Sequence, residues 1–203
     1  GVPGSGGSLA GFSILSRTND GTGDVIVAMD GRVRGFPDVY RYNTRNGEHK
    51  LLTFDSPGRT IGWVLDRNMV ARIAIRAEER KDNDSPRLNT IWHRVGEDSP
   101  WEKIGEASSL DNTGSIQPIA FDYDNKTLYV SSNIDRDKRA IFKYDIAGKK
   151  LGEMVVQHPL IDLSGGLLDT DFFDRVAVFT LVVPPLRECR EDLPVFWRAV
   201  LRR

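Results

Sequence analysis

Three observations predict an all-β fold built from small repeated antiparallel sheets. Short apolar runs bounded by Gly, Asn, Asp and Pro recur along the chain, and helical periodicity is missing before residue 185. A motif of an aromatic, two residues, Asp, a turn and an apolar strand occurs twice, as Trp63-Val64-Leu65-Asp66-Arg67-Asn68-Met69-Val70 and as Phe121-Asp122-Tyr123-Asp124-Asn125-Lys126-Thr127-Leu128. An apolar-aromatic-basic element recurs as Val39-Tyr40-Arg41-Tyr42, Ile91-Trp92-His93-Arg94 and Ile141-Phe142-Lys143-Tyr144, with 52 positions from Tyr40 to Trp92 and 50 from Trp92 to Phe142.

In chain order, the candidate strands are Asp24 to Met29, Val39 to Asn43, His49 to Phe54, Thr60 to Leu65, Val70 to Arg76 and Asn89 to Arg94. Trp101 to Glu106, Ile119 to Tyr123, Leu128 to Ser132, Ala140 to Tyr144, Gly152 to Gln157 and Arg175 to Val183 follow. Thr44-Arg45-Asn46-Gly47 carries the chemistry of a hairpin turn, because Asn and Gly tolerate positive φ. Asp66-Arg67-Asn68 and Asp124-Asn125-Lys126 are turns of the same kind. Arg80 to Arg87 is a charged loop without an apolar anchor. A repeat of roughly 40 to 50 residues made of four short strands is a propeller blade. Asp24 to Phe54 then forms the outer part of one blade, Arg59 to Glu106 a second and Ser115 to Gln157 a third, with a fourth beginning in Asp162 to Val183. The motif aromatics are expected to pack between neighbouring sheets, and the motif Asp to open the following turn.

The expected architecture is therefore all-β, a partial β-propeller of about three to four antiparallel four-stranded blades. Residues 1–20 read as a linker-like N-terminus rich in Gly and Ser, 21–183 as the blades and 184–203 as an unmatched tail. Within that tail, Trp197 to Arg203 has the pattern of a short basic amphipathic helix. Three to four blades are few for a closed ring, so the chain reads as part of a longer protein.

Composition narrows the functional classes. In 203 residues, 28 Lys and Arg stand against 29 Asp and Glu, a net charge of −1 with the charges scattered. No basic field gathers phosphates, which argues against nucleic acid or an anionic membrane surface as partner. The longest apolar stretches, such as Val176 to Pro185, are about half of the ~20 residues a bilayer helix requires, and no transmembrane segment is predicted. The single cysteine, Cys189, excludes an internal disulfide framework and a cysteine zinc cluster.

No residue qualifies as catalytic, cofactor-binding or metal-ligating, and no cofactor is expected. The nearest string to a Gly-x-Ser-x-Gly nucleophile elbow, Gly6-Gly7-Ser8-Leu9-Ala10, has no preceding strand. His49, His93 and His158 lack the spacing of a metal site. Acidic residues crowd at Asp122, Asp124, Asp135 and Asp137, and the first pair superficially matches a calcium loop, but Thr127 replaces its Gly and Asn133 its closing Glu, so turn carboxylates are the better reading. The glycosylation triplets at Asn83 and Asn125 are short enough to arise by chance, and His158-Pro159 reads as a loop staple. Cys189 has no nearby His in sequence to activate it. Arg136, Lys138 and Arg139, with Arg72 and Arg76, have the chemistry to hold a peptide carboxylate in a channel or pocket; a solvated face is the plainer reading.

Asp111-Asn112-Thr113-Gly114, the run Phe121 to Asn133, Ala140-Ile141-Phe142-Lys143-Tyr144-Asp145 and Gly62-Trp63-Val64-Leu65-Asp66-Arg67-Asn68 with Arg72 resemble a known blade type. It is that of the N-terminal propeller of bacterial prolyl oligopeptidase-family serine peptidases, shared by TolB-like propellers. The resemblance covers about Asp24 to Leu168 and ends near Asp169. It implies a parent serine peptidase whose nucleophile, acid and base belong to a separate α/β-hydrolase domain. This chain would then be noncatalytic by itself, gating or selecting peptide substrates, with that hydrolase domain or the peptide as its partner. The alternative is a free-standing TolB-like scaffold that recruits a protein. Bacterial cytoplasm and periplasm both remain open as the location.

Overall fold

The computed structural model describes residues 12–18, 20–79, 82, 88–108 and 115–164. They fall in the compact unit Gly1–Leu167, and they contain no helix. Twelve strands make three four-stranded antiparallel sheets, each a meander in chain order. The first holds β1 (Phe12–Arg17), β2 (Val25–Val33), β3 (Phe36–Tyr42) and β4 (His49–Leu51). The second holds β5 (Thr60–Leu65), β6 (Ala71–Ala77), β7 (Leu88–His93) and β8 (Glu102–Ser108). The third holds β9 (Ile116–Phe121), β10 (Leu128–Ser132), β11 (Ala140–Asp145) and β12 (Lys150–Val156). These are successive blades of a β-propeller segment. The expected strand Arg175 to Val183, the helix Trp197 to Arg203, Cys189, Ser8 and Asn83 lie outside the described residues, as does the charged loop 80–87 apart from Asp82.

The apolar runs are short and dense because the middle sheet is buried on both faces. One core joins Ile26, Ala28 and Val39 of the first sheet to Trp63, Ala71 and Ala74 of the second. The other joins Ile73, Ile91 and Ile104 of the second to Ile116, Phe121, Leu128, Val130 and Tyr144 of the third. Alternation along β5 sends Trp63 to the first core and Val64 to the second. Trp63 also donates from Nε1 to the Pro37 carbonyl at 2.7 Å, and Tyr144 donates from its hydroxyl to the Ile104 carbonyl at 2.7 Å, so each aromatic ties its sheet to the preceding one. At Gly105 the sheets approach closely: a Cβ there would lie 2.7 Å from Cδ1 of Ile116.

The three apolar-aromatic-basic elements are β3, β7 and β11, the third strand of each sheet. The Asn-Gly hairpin joins β3 to β4, with Gly47 at φ 78° and its N–H donated to the Asn43 carbonyl at 2.9 Å. Three details differ from the sequence reading. β1 lies within the linker-like stretch and completes the first sheet; its FSILSR pattern is half exposed, so it offers little apolar signal. β9 begins at Ile116 rather than Ile119 and includes Pro118, which an edge strand bonded to one neighbour tolerates. The two Asp motifs align two residues away from the expected register. Asp66 donates its N–H to Val70 O and Asp122 to Thr127 O, both at 2.9 Å, and the left-handed residues are Met69 and Asn125. Leu65 therefore corresponds to Phe121 and Asp66 to Asp122, because the closing hydrogen bond of the turn sets the register, not the aromatic.

Arg72 on β6 knots the second and third sheets together. Its guanidinium pairs with Asp66 at 3.1 Å, donates to the Arg94 carbonyl at 2.5 Å and to Asn125 O at 3.4 Å, and lies over the Phe121 ring at 5.1 Å. Its Nη2 is 3.2 Å from Nε2 of buried His93. A guanidinium can only donate, so His93 Nε2 is the acceptor and its proton sits on Nδ1. Across the same boundary Asn125 Oδ1 accepts the Arg67 N–H at 2.7 Å, and Arg67 Nε donates to Phe121 O at 3.0 Å.

Truncating Phe121 removes a ring that is 1 % exposed and supports both the second core and Arg72. Phe121→Ala is expected to lower unfolding stability by about 3–5 kcal/mol in urea titrations, whereas exposed Tyr123→Ala should lower it by less than about 1 kcal/mol. Burial, then the Arg72 charge, depress the His93 pKa from 6.5 to about 4. Above the unfolded value this has no effect. As pH falls from about 6.5 towards about 4, the unfolded chain takes up the proton first and stability is lost, on the order of 3 kcal/mol. The urea midpoint is expected to fall more steeply between pH 7 and pH 4.5 for the native chain than for His93→Gln. Parallel profiles would show that His93 is not the group responsible.

Candidate functional site

β5 and β9 are the first strands of adjacent sheets, and they pack against each other. Between them opens a cleft of about 290 Å³. Its apolar wall is Ile61, Ile75, Ile91, Ile116 and Pro118, and Gly62 widens it on the β5 side. A Cβ at Gly62 would meet Cδ1 of Ile75 at 3.4 Å, an ordinary contact, so the strand itself does not require glycine. Ile61 is 44 % exposed at the rim. The polar lining comprises Asn89, Ser115, Gln117 and Arg139.

Arg139 enters the cleft from the loop between β10 and β11. That loop is held by the Ser132 hydroxyl oxygen, which accepts the Ile134 N–H at 3.1 Å, and by Asp135 in the left-handed region at φ 56°. Nε donates to Ser131 Oγ at 3.0 Å; Nη1 donates to Ser115 Oγ at 2.9 Å and Asn133 Oδ1 at 3.3 Å; Nη2 donates to Ser131 O at 3.0 Å and Ser115 O at 3.4 Å. All five N–H groups meet neutral oxygens. Asp162 accepts the Arg139 backbone N–H at 2.7 Å and adds a weaker favourable field. Burial outweighs that field and holds the guanidinium pKa below its usual value. Small polar residues at the end of β10, Ser131, Ser132 and Asn133, are buried because two of them solvate this cation.

The other cations singled out in the sequence are dispersed. Arg72 is committed to the knot with Asp66. Arg76 lies on the Trp92 face of the second sheet, 6.0 Å from that ring and 3.6 Å from Glu78. Arg136 stacks on Phe142 at 5.6 Å and donates to Gln157 at 2.5 Å, and Lys138 sits 3.2 Å from Asp137. Arg139 alone of these five lines the cleft. The cleft's Asn89, Ser115 and Gln117 carry no sequence motif; only the pairing of two separate sheets assembles them.

The acidic residues serve turns. Asp124 accepts the N–H groups of Lys126 and Thr127, both at 2.8 Å, and Asp122 accepts the Tyr123 N–H at 2.7 Å and the Tyr129 hydroxyl at 2.9 Å. Backbone donation holds the Asp124 carboxyl below the usual range. His49 packs on Tyr40 and Tyr42, His93 is buried beside Arg72, and His158 Nδ1 accepts the N–H of Leu160 at 3.2 Å. Among the described residues, no group of three His, Cys, Asp or Glu side chains is placed to hold a metal ion. No helix there is long and apolar enough to cross a membrane.

A second cavity of about 380 Å³ lies where the first two sheets meet and is lined by Asp20, Arg41, Arg94 and Glu97 among others. Its cations are already answered: Arg41 pairs with Asp20 at 2.6 Å and Asp24 at 2.7 Å, and Arg94 pairs with Asp55 at 3.3 Å. The cleft at Arg139 is the better candidate, because its charge is not neutralised by a carboxylate at ion-pair distance among the described residues.

The sequence matches no family profile. It is similar to dipeptidyl aminopeptidase BIII of Pseudoxanthomonas mexicana, with 26 % identity over 147 residues, which cover 72 % of this chain and 20 % of that protein. The chain thus spans about a fifth of the length of this curated relative. A comparison of folds finds the β-propeller domain of the Trilobed protease from Pyrococcus furiosus, described as having an open velcro topology, at a TM-score of 0.43 and 15 % identity, over 74 % of this chain and 44 % of that one. Three antiparallel four-stranded blades make the described residues a β-propeller segment, and its sequence is similar to part of a dipeptidyl aminopeptidase.

Proposed function

We propose that this chain is a noncatalytic propeller segment that selects peptide substrates for a serine peptidase of the prolyl oligopeptidase type. The observation that carries the reading is the cleft between β5 and β9. Its isoleucine wall suits an apolar side chain, and the carboxamides of Asn89 and Gln117, which make no hydrogen bond within the described residues, suit a peptide backbone. A space of about 290 Å³ admits a few residues of an extended chain and excludes a folded domain. The hydroxyls beside it, Ser115 and Ser131, face a guanidinium and not a general base, so neither is activated as a nucleophile. Similarity to a dipeptidyl aminopeptidase supports a peptide as the molecule selected.

The purified 203-residue chain is expected to leave fluorogenic dipeptidyl amides intact while binding unstructured hexapeptides in calorimetry. Gly62→Val, which fills the cleft, should weaken that binding at least tenfold. Hydrolysis by the chain, or binding indifferent to Gly62→Val, would overturn the reading. One observation favours a second reading, a scaffold for a protein partner: Met154, Val155 and Val156 are exposed side by side on the edge strand β12. In that case binding should respond to Val155→Lys and not to Gly62→Val.

A further inference from the structure

We infer that the cleft between β5 and β9 is a carboxylate-reading subsite: it takes a peptide carboxylate against Arg139 and Ser115, with the neighbouring apolar side chain on the isoleucine wall. This rests on the peptide-selecting function proposed above and names the chemical group that would be selected.

The argument begins with how the other enclosed guanidiniums are treated. Arg72 has Asp66 at 3.1 Å, and Arg94 has Asp55 at 3.3 Å. Arg139 is also drawn out of water, yet five neutral oxygen contacts are its whole complement among the described residues. Among the described residues it is the one charged side chain of the cleft lining. A partly desolvated cation without a counter-ion leaves a favourable place for an anion, and the low dielectric of the apolar wall strengthens that field. Burial already disfavours the charged guanidinium, so an arriving carboxylate would relieve the strain of its environment.

Ser115 supplies the directional element. Its Oγ accepts from Arg139 Nη1 at 2.9 Å, which leaves its own O–H to donate. One carboxylate oxygen can take that proton while the other displaces Asn133 Oδ1, the longer of the two Nη1 contacts at 3.3 Å, and the carboxamides of Asn89 and Gln117, which make no hydrogen bond among the described residues, can bond the preceding peptide carbonyl. Lysine or arginine side chains find no acid among the described residues of this lining, so the subsite discriminates by charge sign as well as by shape.

A carboxylate arrives either as a chain terminus or as an Asp or Glu side chain, and three hexapeptides of one apolar sequence separate the two. The first carries a free C-terminus, the second a C-terminal amide, and the third the amide with Glu at its last position. Calorimetry on the full chain is expected to give at least tenfold tighter binding of the first peptide than of the second. Recovery of affinity by the third would assign the side chain as a source as well. Equal binding of all three would overturn the carboxylate subsite and leave peptide selection standing, whereas binding of none would overturn both. Arg139→Gln should erase the preference for the acid over the amide. Should circular dichroism show that Arg139→Gln fails to fold, Ile61→Glu serves instead, since it places a like charge at the exposed rim and touches none of the Arg139 hydrogen bonds. It should lower affinity for the acid at least tenfold more than for the amide, and an unchanged preference would overturn the proposal.

Discussion

The arrangement of the second and third sheets depends on one buried ion pair and what it gathers around it. Apolar contact between two sheets is non-directional and leaves them free to slide, since burial rewards area more than register. Arg72 removes that freedom: its guanidinium is fixed on its own sheet by Asp66, the Arg94 carbonyl and His93, and on the next sheet by the Phe121 ring and Asn125 O. Each contact has its own angle, so they agree in only one relative placement of β6 and β9. The position of the cleft at the other end of β5 and β9 follows from that placement.

A buried charge is costly unless paired, which explains why the knot is built as it is. Asp66 serves three donors at once, the N–H groups of Asn68 and Val70 and the side chain of Arg72, so one carboxylate both closes a turn and neutralises a cation. His93 completes the set as a neutral acceptor, and burial first, then the charge of Arg72, depress its pKa. The Asp122 turn in the third sheet keeps the same closing bond but spends its carboxylate on Tyr123 and Tyr129. Repetition of backbone geometry therefore does not require repetition of side-chain role.

Arginine is the residue whose meaning varies most with place in this chain. Arg32 pairs with Asp38 and donates to the Thr53 and Phe54 carbonyls, tying β3 to the connection that leads out of the first sheet. Arg41 clamps the loop before β2 through Asp20 and Asp24. Arg67 stacks on Tyr123 at 4.3 Å while bonding the third sheet. Against these structural duties, the solvation of Arg139 by serine and asparagine oxygens stands apart, and it is this chemical difference, more than the volume of the cleft, that marks the site.

Much of the architecture was legible in the sequence because it rests on local chemistry. Thr60–Leu65 and Leu128–Ser132 coincide with their expected bounds, and the other strands from β2 onward lie within a few residues of theirs, since the apolar runs and turn residues that mark them are set residue by residue. The pattern is weakest where burial is slight or interrupted: β1 has no buried position, and β9 opens on Ile116 followed by Gln117 and Pro118, which lack a strand signature. The candidate site was legible only in part. Arg139 stood out as one of five cations, but its separation from Arg72, Arg76, Arg136 and Lys138, and its company of Asn89, Ser115 and Gln117, came from the packing of one sheet on the next, which brings together residues tens of positions apart. By itself the sequence determined the strands, the turns and the blade repeat, because backbone preference and hydrophobic spacing act over a few residues. The tertiary structure alone decided which arginine is neutralised and which is left facing an open cleft, because counter-ions and desolvation are properties of neighbours in space.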